Sequence, residues 1–300
     1  MSFDSYEIAH ARIVDHPSPI VELTNIMPDA SARIFLKYEC LGPTRAAKDR
    51  AVKGMLDAAI NLELLGAHTR VVEASAGAEA LALAAATAAR GIKLTVVATD
   101  DLPKERIRRL EAFGAELELT PSSKGFIRAI RRAEEIAKAE DDVWRPNLFE
   151  NSANPTAYET STAPEIWRDL RGRVDVFVAG VGSGGAFVGI GRFLKRVNPQ
   201  IELVAVEPTE SAVLSGGRPG AHGIVGLGAG FVPKIFDRRL PTRVATVSTD
   251  EAEEWRRKLA TVEGLTVGIS TGANLAAIAK LARERALLGK NVATIAFDCG

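Results

Sequence analysis

Short apolar runs alternate with longer Ala- and Leu-rich stretches along almost the whole chain, and no other feature constrains the fold as tightly. The runs fall at 34–40 (IFLKYEC), 69–75 (TRVVEAS), 93–99 (KLTVVAT), 116–121 (ELELTP), 174–182 (VDVFVAGVG), 202–208 (ELVAVEP), 243–248 (RVATVS) and 291–298 (NVATIAFD). Most are apolar nearly throughout instead of every second residue, as strands buried on both faces of a parallel sheet are. Helical patterns fill the gaps at 45–65, 78–90, 103–113, 125–139, 161–170, 186–197, 250–262 and 272–288. The alternation predicts an α/β fold of largely parallel, twisted sheets flanked by helices. At about 150 residues per domain, 300 residues suggest two domains. The best boundary lies between Asp141 and Thr156, where WRPNLFENSANP interrupts the helical pattern with two Pro and three Asn.

Composition excludes several classes of function. Lys and Arg (38) balance Asp and Glu (38), so no overall field draws the chain to nucleic acid or anionic lipid. No apolar run reaches the roughly 18 residues of a membrane helix. The first residues, MSFDSYEIAHARIVDHPSP, mix acids and bases unlike a signal peptide, which suggests a cytoplasmic protein. Cys40 and Cys299, the two cysteines, are too few for a disulfide framework or a structural zinc site; they read as reduced and structural, with no metal expected.

The run VDVFVAG leads into Gly180-Val181-Gly182-Ser183-Gly184-Gly185 and then a helix. Backbone N–H groups of such a loop, with the helix N-terminus behind them, can cradle a phosphate. The same letters satisfy G-x-G-x-x-G, and Glu207 ends the next strand 22 residues beyond Gly185, where a dinucleotide fold places its ribose-binding acid. On this stretch alone an NAD(P)-dependent dehydrogenase is a fair reading, although little chain follows for a six-stranded dinucleotide domain.

Further segments widen the choice. Pro19-Ile20-Val21-Glu22-Leu23, then Lys37-Tyr38-Glu39, then Lys48-Asp49-Arg50 at the start of a helix, resemble the opening segments of the cysteine synthase and cystathionine β-synthase family, fold type II enzymes that use pyridoxal 5'-phosphate. The loop at 71–80, the segment 151–167 (NSANPTAYETSTAPEIW), the glycine loop, 214–233 (LSGGRPGAHGIVGLGAGFVP) and Gly268-Ile269-Ser270-Thr271-Gly272-Ala273 follow in the family's order. The resemblance covers nearly the whole chain. It implies that Lys48 binds the cofactor aldehyde, that Gly182, Ser183, Gly184, Gly185 and Ala186 hold its phosphate, and that Ser270 faces its pyridine nitrogen. It also implies a smaller mobile domain (39–141) that closes over the cofactor, a larger domain (1–38 and 142–300) that binds the cofactor phosphate and dimerises, and a homodimer.

A lysine amine that is exchanged for the substrate amine is then free to act as base at the substrate α-carbon, so one residue serves two steps. A serine facing the ring nitrogen leaves the ring neutral, which favours losing a group from the β-carbon. Ser270 also suits the N-cap of a helix starting near Gly272, and His222 reads as structural.

The substrate loop departs from the family. Where the family has T-S-G-N-T-G, this chain has Ser75, Ala76, Gly77, Ala78, Glu79 and Ala80, and Leu148 stands in place of a glutamine before Phe149-Glu150-Asn151. Loss of polar groups from two parts of a carboxylate site should cost roughly 10⁴ against the usual substrate. The resulting expectation is a lyase or transferase of amino-acid metabolism: pyridoxal-phosphate-dependent β-elimination or β-replacement on a β-substituted amino acid, with a non-canonical substrate or small nucleophile, Ser75 to Glu79 and Leu148 lining its site. The alternatives are a catalytically reduced, cysteine synthase-like regulatory protein and the dehydrogenase.

Overall fold

The computed structural model describes residues 8–27, 32–66, 68–284 and 286–300; the first seven residues, part of the stretch compared with a signal peptide, lie outside them. In chain order the elements are α1 (Ile8–Asp15), β1 (Ile20–Leu23), β2 (Arg33–Tyr38), α2 (Lys48–Asn61), β3 (Arg70–Ala74), α3 (Ala78–Ala89), β4 (Leu94–Thr99), α4 (Lys104–Ala112), β5 (Glu116–Thr120), α5 (Phe126–Ala139), β6 (Val143–Trp144), α6 (Ala153–Thr160), α7 (Thr162–Asp169), β7 (Val176–Gly180), α8 (Gly185–Val197), β8 (Glu202–Pro208), β9 (Arg243–Val247), α9 (Thr249–Glu263), α10 (Ile269–Arg283) and β10 (Asn291–Ala296). Each of the eight apolar runs forms a strand. The α/β class expected from the sequence is the observed one. The short β1 and β6 and the helices α1 and α6 add to it.

The chain divides into two compact units. Among the described residues, one takes 8–16, Gly42–Thr44 and Lys48–Ala153; the other takes Pro17–Leu41, Arg45–Ala47 and Asn154–Gly300. The division differs from the 39–141 span read from sequence, and the reasons are local. Strand β6 pairs in parallel with β3, which brings residues beyond 141 into the smaller unit. Residues 39 and 47 are held by the end of β10, Glu39 N–H donating to Ala296 O (3.3 Å) and Ala47 N–H to Phe297 O (2.7 Å), which assigns them to the larger.

The smaller unit is a four-stranded, all-parallel sheet in the order β5-β4-β3-β6. Successive strand residues point to opposite faces, and both faces are covered. Val71, Leu94 and Val96 pack with Val52, Met55 and Leu56 of α2 and Leu81 and Leu83 of α3. Val72, Ala74 and Val97 pack with Ala129, Ala133 and Ile136 of α5. The Ala-rich α3 is buried from Glu79 to Thr87, since small side chains let neighbouring backbones approach on every side.

The larger unit is a six-stranded sheet in the order β1-β2-β10-β7-β8-β9, parallel throughout except for β1. Val176 and Val178 of β7 join the core under α9 and α10, while Phe177 between them stacks on Phe187 of α8 with ring centroids 6.3 Å apart. Ile190, Leu194, residues 273–279 and Leu281 are buried within this unit.

Candidate active site

In the smaller unit Lys48 is the first residue of α2 and half-buried, not the solvated helix lysine that a lone Lys usually is. The helix begins three residues later than the pattern at 45–65 suggested, because Arg45 takes a left-handed conformation (φ 60°) that no helix continues through. Asp49 fixes the turn before it: its carboxylate accepts the Thr44 N–H (3.0 Å) and hydroxyl (2.7 Å). Burial pushes the Lys48 ammonium below the usual lysine range, and the Glu79 carboxylate works in the opposite sense.

Ser75, Ala76 and Gly77 join β3 to α3, with Ala78 and Glu79 as the first two helical residues. Gly77 is the N-cap and has no side chain to offer, so the first-turn amides of α3 receive no cap of the usual kind. Glu79 is buried, and its Oε1 has no hydrogen-bond partner among the described residues. Burial and the nearby Glu73 carboxylate push its pKa up to about 8, against the opposing pull of Lys48 and of a hydrogen bond from the Ser75 side chain. Glu73 accepts the Ala74 and Asn147 N–H groups and lies 3.6 Å from Arg145. The sequence reading missed Glu73 and Arg145; a lone acid inside an apolar run (TRVVEAS) is the signal that could have found them. Lys48, Ser75 and Glu79 thus come together in one unit. Leu148 instead belongs to the apolar core with Val52, Met55 and Leu81.

In the larger unit β7 ends at Gly180, whose N–H donates to Asn274 Oδ1 (2.7 Å) while Asn274 Nδ2 donates to Ile295 O (3.1 Å), so α10 fixes where the glycine loop starts. Gly184 has φ +90°, which glycine adopts without strain, and acts as N-cap of α8. A Cβ on Gly185 would lie 1.9 Å from Asn154 Oδ1. That glycine makes room for Asn154, a buried side chain that donates to Ser183 Oγ (3.3 Å) and was not singled out from sequence. The first turn of α8 holds no acid. By contrast α9 closes its own N-terminus with a capping box of Ser248 and Glu251. Gly182, Ser183, Gly184, Gly185 and Ala186 therefore form a loop of backbone donors free of carboxylate, which fits a phosphate group.

Ser270 is buried in the first turn of α10, where Gly268 is the N-cap; the alternative that Ser270 caps a helix starting near Gly272 does not hold. The neighbouring Thr271 hydroxyl is buried without a hydrogen-bond partner among the described residues. Glu207, the acid a dinucleotide site would need, is buried and already accepts the Leu214 and Ser215 N–H groups and the Ser215 hydroxyl. That occupancy removes the main support for the dehydrogenase. His222 Nε2 meets Gly228 O at 2.9 Å within its own loop, as a structural histidine does. Cys40 and Cys299 are both buried, and burial together with Cys299 pushes the Cys40 thiol far above its usual range.

Comparison with known proteins agrees with these features. A family model described as pyridoxal-phosphate dependent enzyme matches residues 13–298. A cysteine synthase of Staphylococcus aureus is 39% identical over 279 residues, 93% of this chain and 89% of the relative. O-acetyl serine sulfhydrylase isoform 3 from Entamoeba histolytica superposes with a TM-score of 0.92 at 34% identity, covering 96% of this chain and 87% of that one. A hydrogen sulfide-producing enzyme from Fusobacterium nucleatum gives a TM-score of 0.92 at 34% identity and covers 98% of both chains. The chain therefore belongs to the pyridoxal-phosphate-dependent enzymes, in their cysteine synthase-like branch, and uses pyridoxal 5'-phosphate.

Proposed function

We propose that the protein catalyses β-replacement or β-elimination on a β-substituted amino acid, with Lys48 as the residue that binds the cofactor and then moves the substrate α-proton. The half-buried Lys48, whose ammonium is disfavoured by burial, carries this reading. Burial works against the proton on Lys48 and so favours the free amine, the form that can attack a carbonyl and take a proton, whereas an ordinary solvated lysine is protonated and can do neither. When bound, the cofactor supplies an electron sink for the carbanion formed at the substrate α-carbon. In this reading the Gly182–Ala186 loop holds the cofactor phosphate through backbone N–H groups, and Ser270 offers a neutral hydroxyl to the ring nitrogen. The 75–80 loop takes the substrate's acid group at the uncapped start of α3. The chain forms a homodimer in a cytoplasmic setting suited to the two free, buried thiols. The smaller unit moves when substrate binds.

The test is turnover of O-acetyl-, O-phospho- and O-carbamoyl-L-serine by the yellow holoenzyme, each with and without sulfide. Release of the leaving group from at least one donor is the expected result. A yellow enzyme inert toward all of them contradicts it and favours a regulatory protein that keeps the cofactor without the chemistry.

A further inference from the structure

The carboxyl group of Glu79 belongs to the loop that the reading above gives to the substrate's acid group, and it is poorly provided with partners. It lies in the first turn of α3, is 5% exposed, and keeps one oxygen without a hydrogen-bond partner among the described residues. Three groups face it: Glu73 from β3, Lys48 from α2, and Ser75 from the loop before α3. Arg145, from the segment after β6, lies against Glu73. Of the two carboxyls, Glu73 has two backbone N–H donors and a guanidinium to meet its charge. Glu79 has the Ser75 hydroxyl and the pull of Lys48. Burial disfavours the charge on both carboxyls, and the Glu73 charge adds to the rise at Glu79; the two N–H donors and Arg145 offset burial at Glu73, which makes Glu79 the better holder of a proton.

Protonation changes what this side chain can recognise. An ionised carboxylate accepts hydrogen bonds and repels anions; a neutral carboxyl has an O–H to donate. Ala78 beside it has no polar side chain, and Leu148 is committed to the core. Resting on the cofactor reading above, we propose that Glu79 determines specificity by holding the substrate's acid group through its own O–H, beside the first-turn amides of α3, so that binding requires the protonated form. Above a pKa of about 8 the site loses its donor and gains a repelling charge. Affinity for an anionic ligand then falls roughly tenfold per pH unit, the slope of a single linked proton.

The experiment titrates the holoenzyme with L-alanine, which has no β-leaving group, and with L-alaninamide, in which a neutral amide replaces the carboxylate. It follows the visible absorption of the lysine-bound cofactor between pH 6.5 and 9.5. That band, recorded before any ligand is added, reports on the cofactor reading, and its absence overturns that reading and this proposal together. With the band present, L-alanine binding to the wild type weakens by about tenfold or more across the upper pH range relative to Glu79→Gln, which keeps a donor and cannot ionise. Alaninamide shows no such difference between the two proteins. Glu79→Thr, a second donor that cannot ionise, should follow Glu79→Gln and replaces it should the glutamine variant not fold. Parallel pH profiles for wild type and variants overturn the proposal. So does binding of alaninamide that tightens with pH more in the wild type than in Glu79→Gln, which would mean that ionised Glu79 holds a cation or donor.

Discussion

Lys37 in β2 and Lys48 at the start of α2 are set in opposite surroundings. Lys37 is fully buried, donates to Ser18 O at 2.6 Å, and lies 2.8 Å from Glu165 and 3.2 Å from Asp169. Ser18 and Thr162 extend the same network through Glu39, each donating to its Oε1 (2.8 and 3.1 Å). Every charge there is answered, and the lysine works as a strut holding β2 to α7. Lys48 lies in a region where burial outweighs the opposing charge, so its ammonium is suppressed and its amine available. The difference teaches that burial alone does not make a reactive lysine. What matters is whether the amine is committed to partners, as Lys37 is to Ser18 O, Glu165 and Asp169.

Breaking the strut gives the largest effect on stability. Lys37→Met leaves Glu165 and Asp169 facing each other with no cation between them, and removing one partner of a buried pair costs about 3–5 kcal/mol. Chemical denaturation should show a loss of that size while Lys48 in any folded fraction still binds the cofactor. An unchanged midpoint would mean the network is dispensable.

Leu148→Gln sharpens the comparison from the other side, by putting polarity into the smaller unit where the structure places apolar packing. Because Leu148 is buried among Val52, Met55 and Leu81, an amide there costs about 1–3 kcal/mol. A glutamine at this position should therefore lower stability before it improves use of any substrate. A gain in turnover of O-acetyl-L-serine without loss of stability would show that position 148 faces the substrate after all.

Much of this was legible in the sequence, and the parts that were not share a cause. The strands were readable because burial on both sheet faces imposes apolar runs, and the glycine loop because a strand-to-helix turn that presents amides needs residues such as Gly184. The start of α2 was not readable, since the left-handed Arg45 carries no sequence signal. Nor was the core role of Leu148, because position in a motif does not tell which way a side chain points. The same holds for Glu73, Arg145 and Asn154, whose partners are set by tertiary contact and lie far away in the chain. Glu79 was visible as a departure. Its raised pKa was not, because that depends on burial and on Glu73 meeting it in space.

The contrast between the two lysines is tested most directly by reducing the yellow holoenzyme with borohydride and mapping the labelled peptide by mass spectrometry. Reduction converts a lysine–cofactor imine into a stable secondary amine. The cofactor mass should be found on the peptide containing Lys48-Asp49-Arg50, with no label on Lys37, and Lys48→Ala should bind the cofactor through the glycine loop without being labelled and without turnover. Label on Lys37 or on any other lysine, or full labelling of the Lys48→Ala protein, would contradict the account.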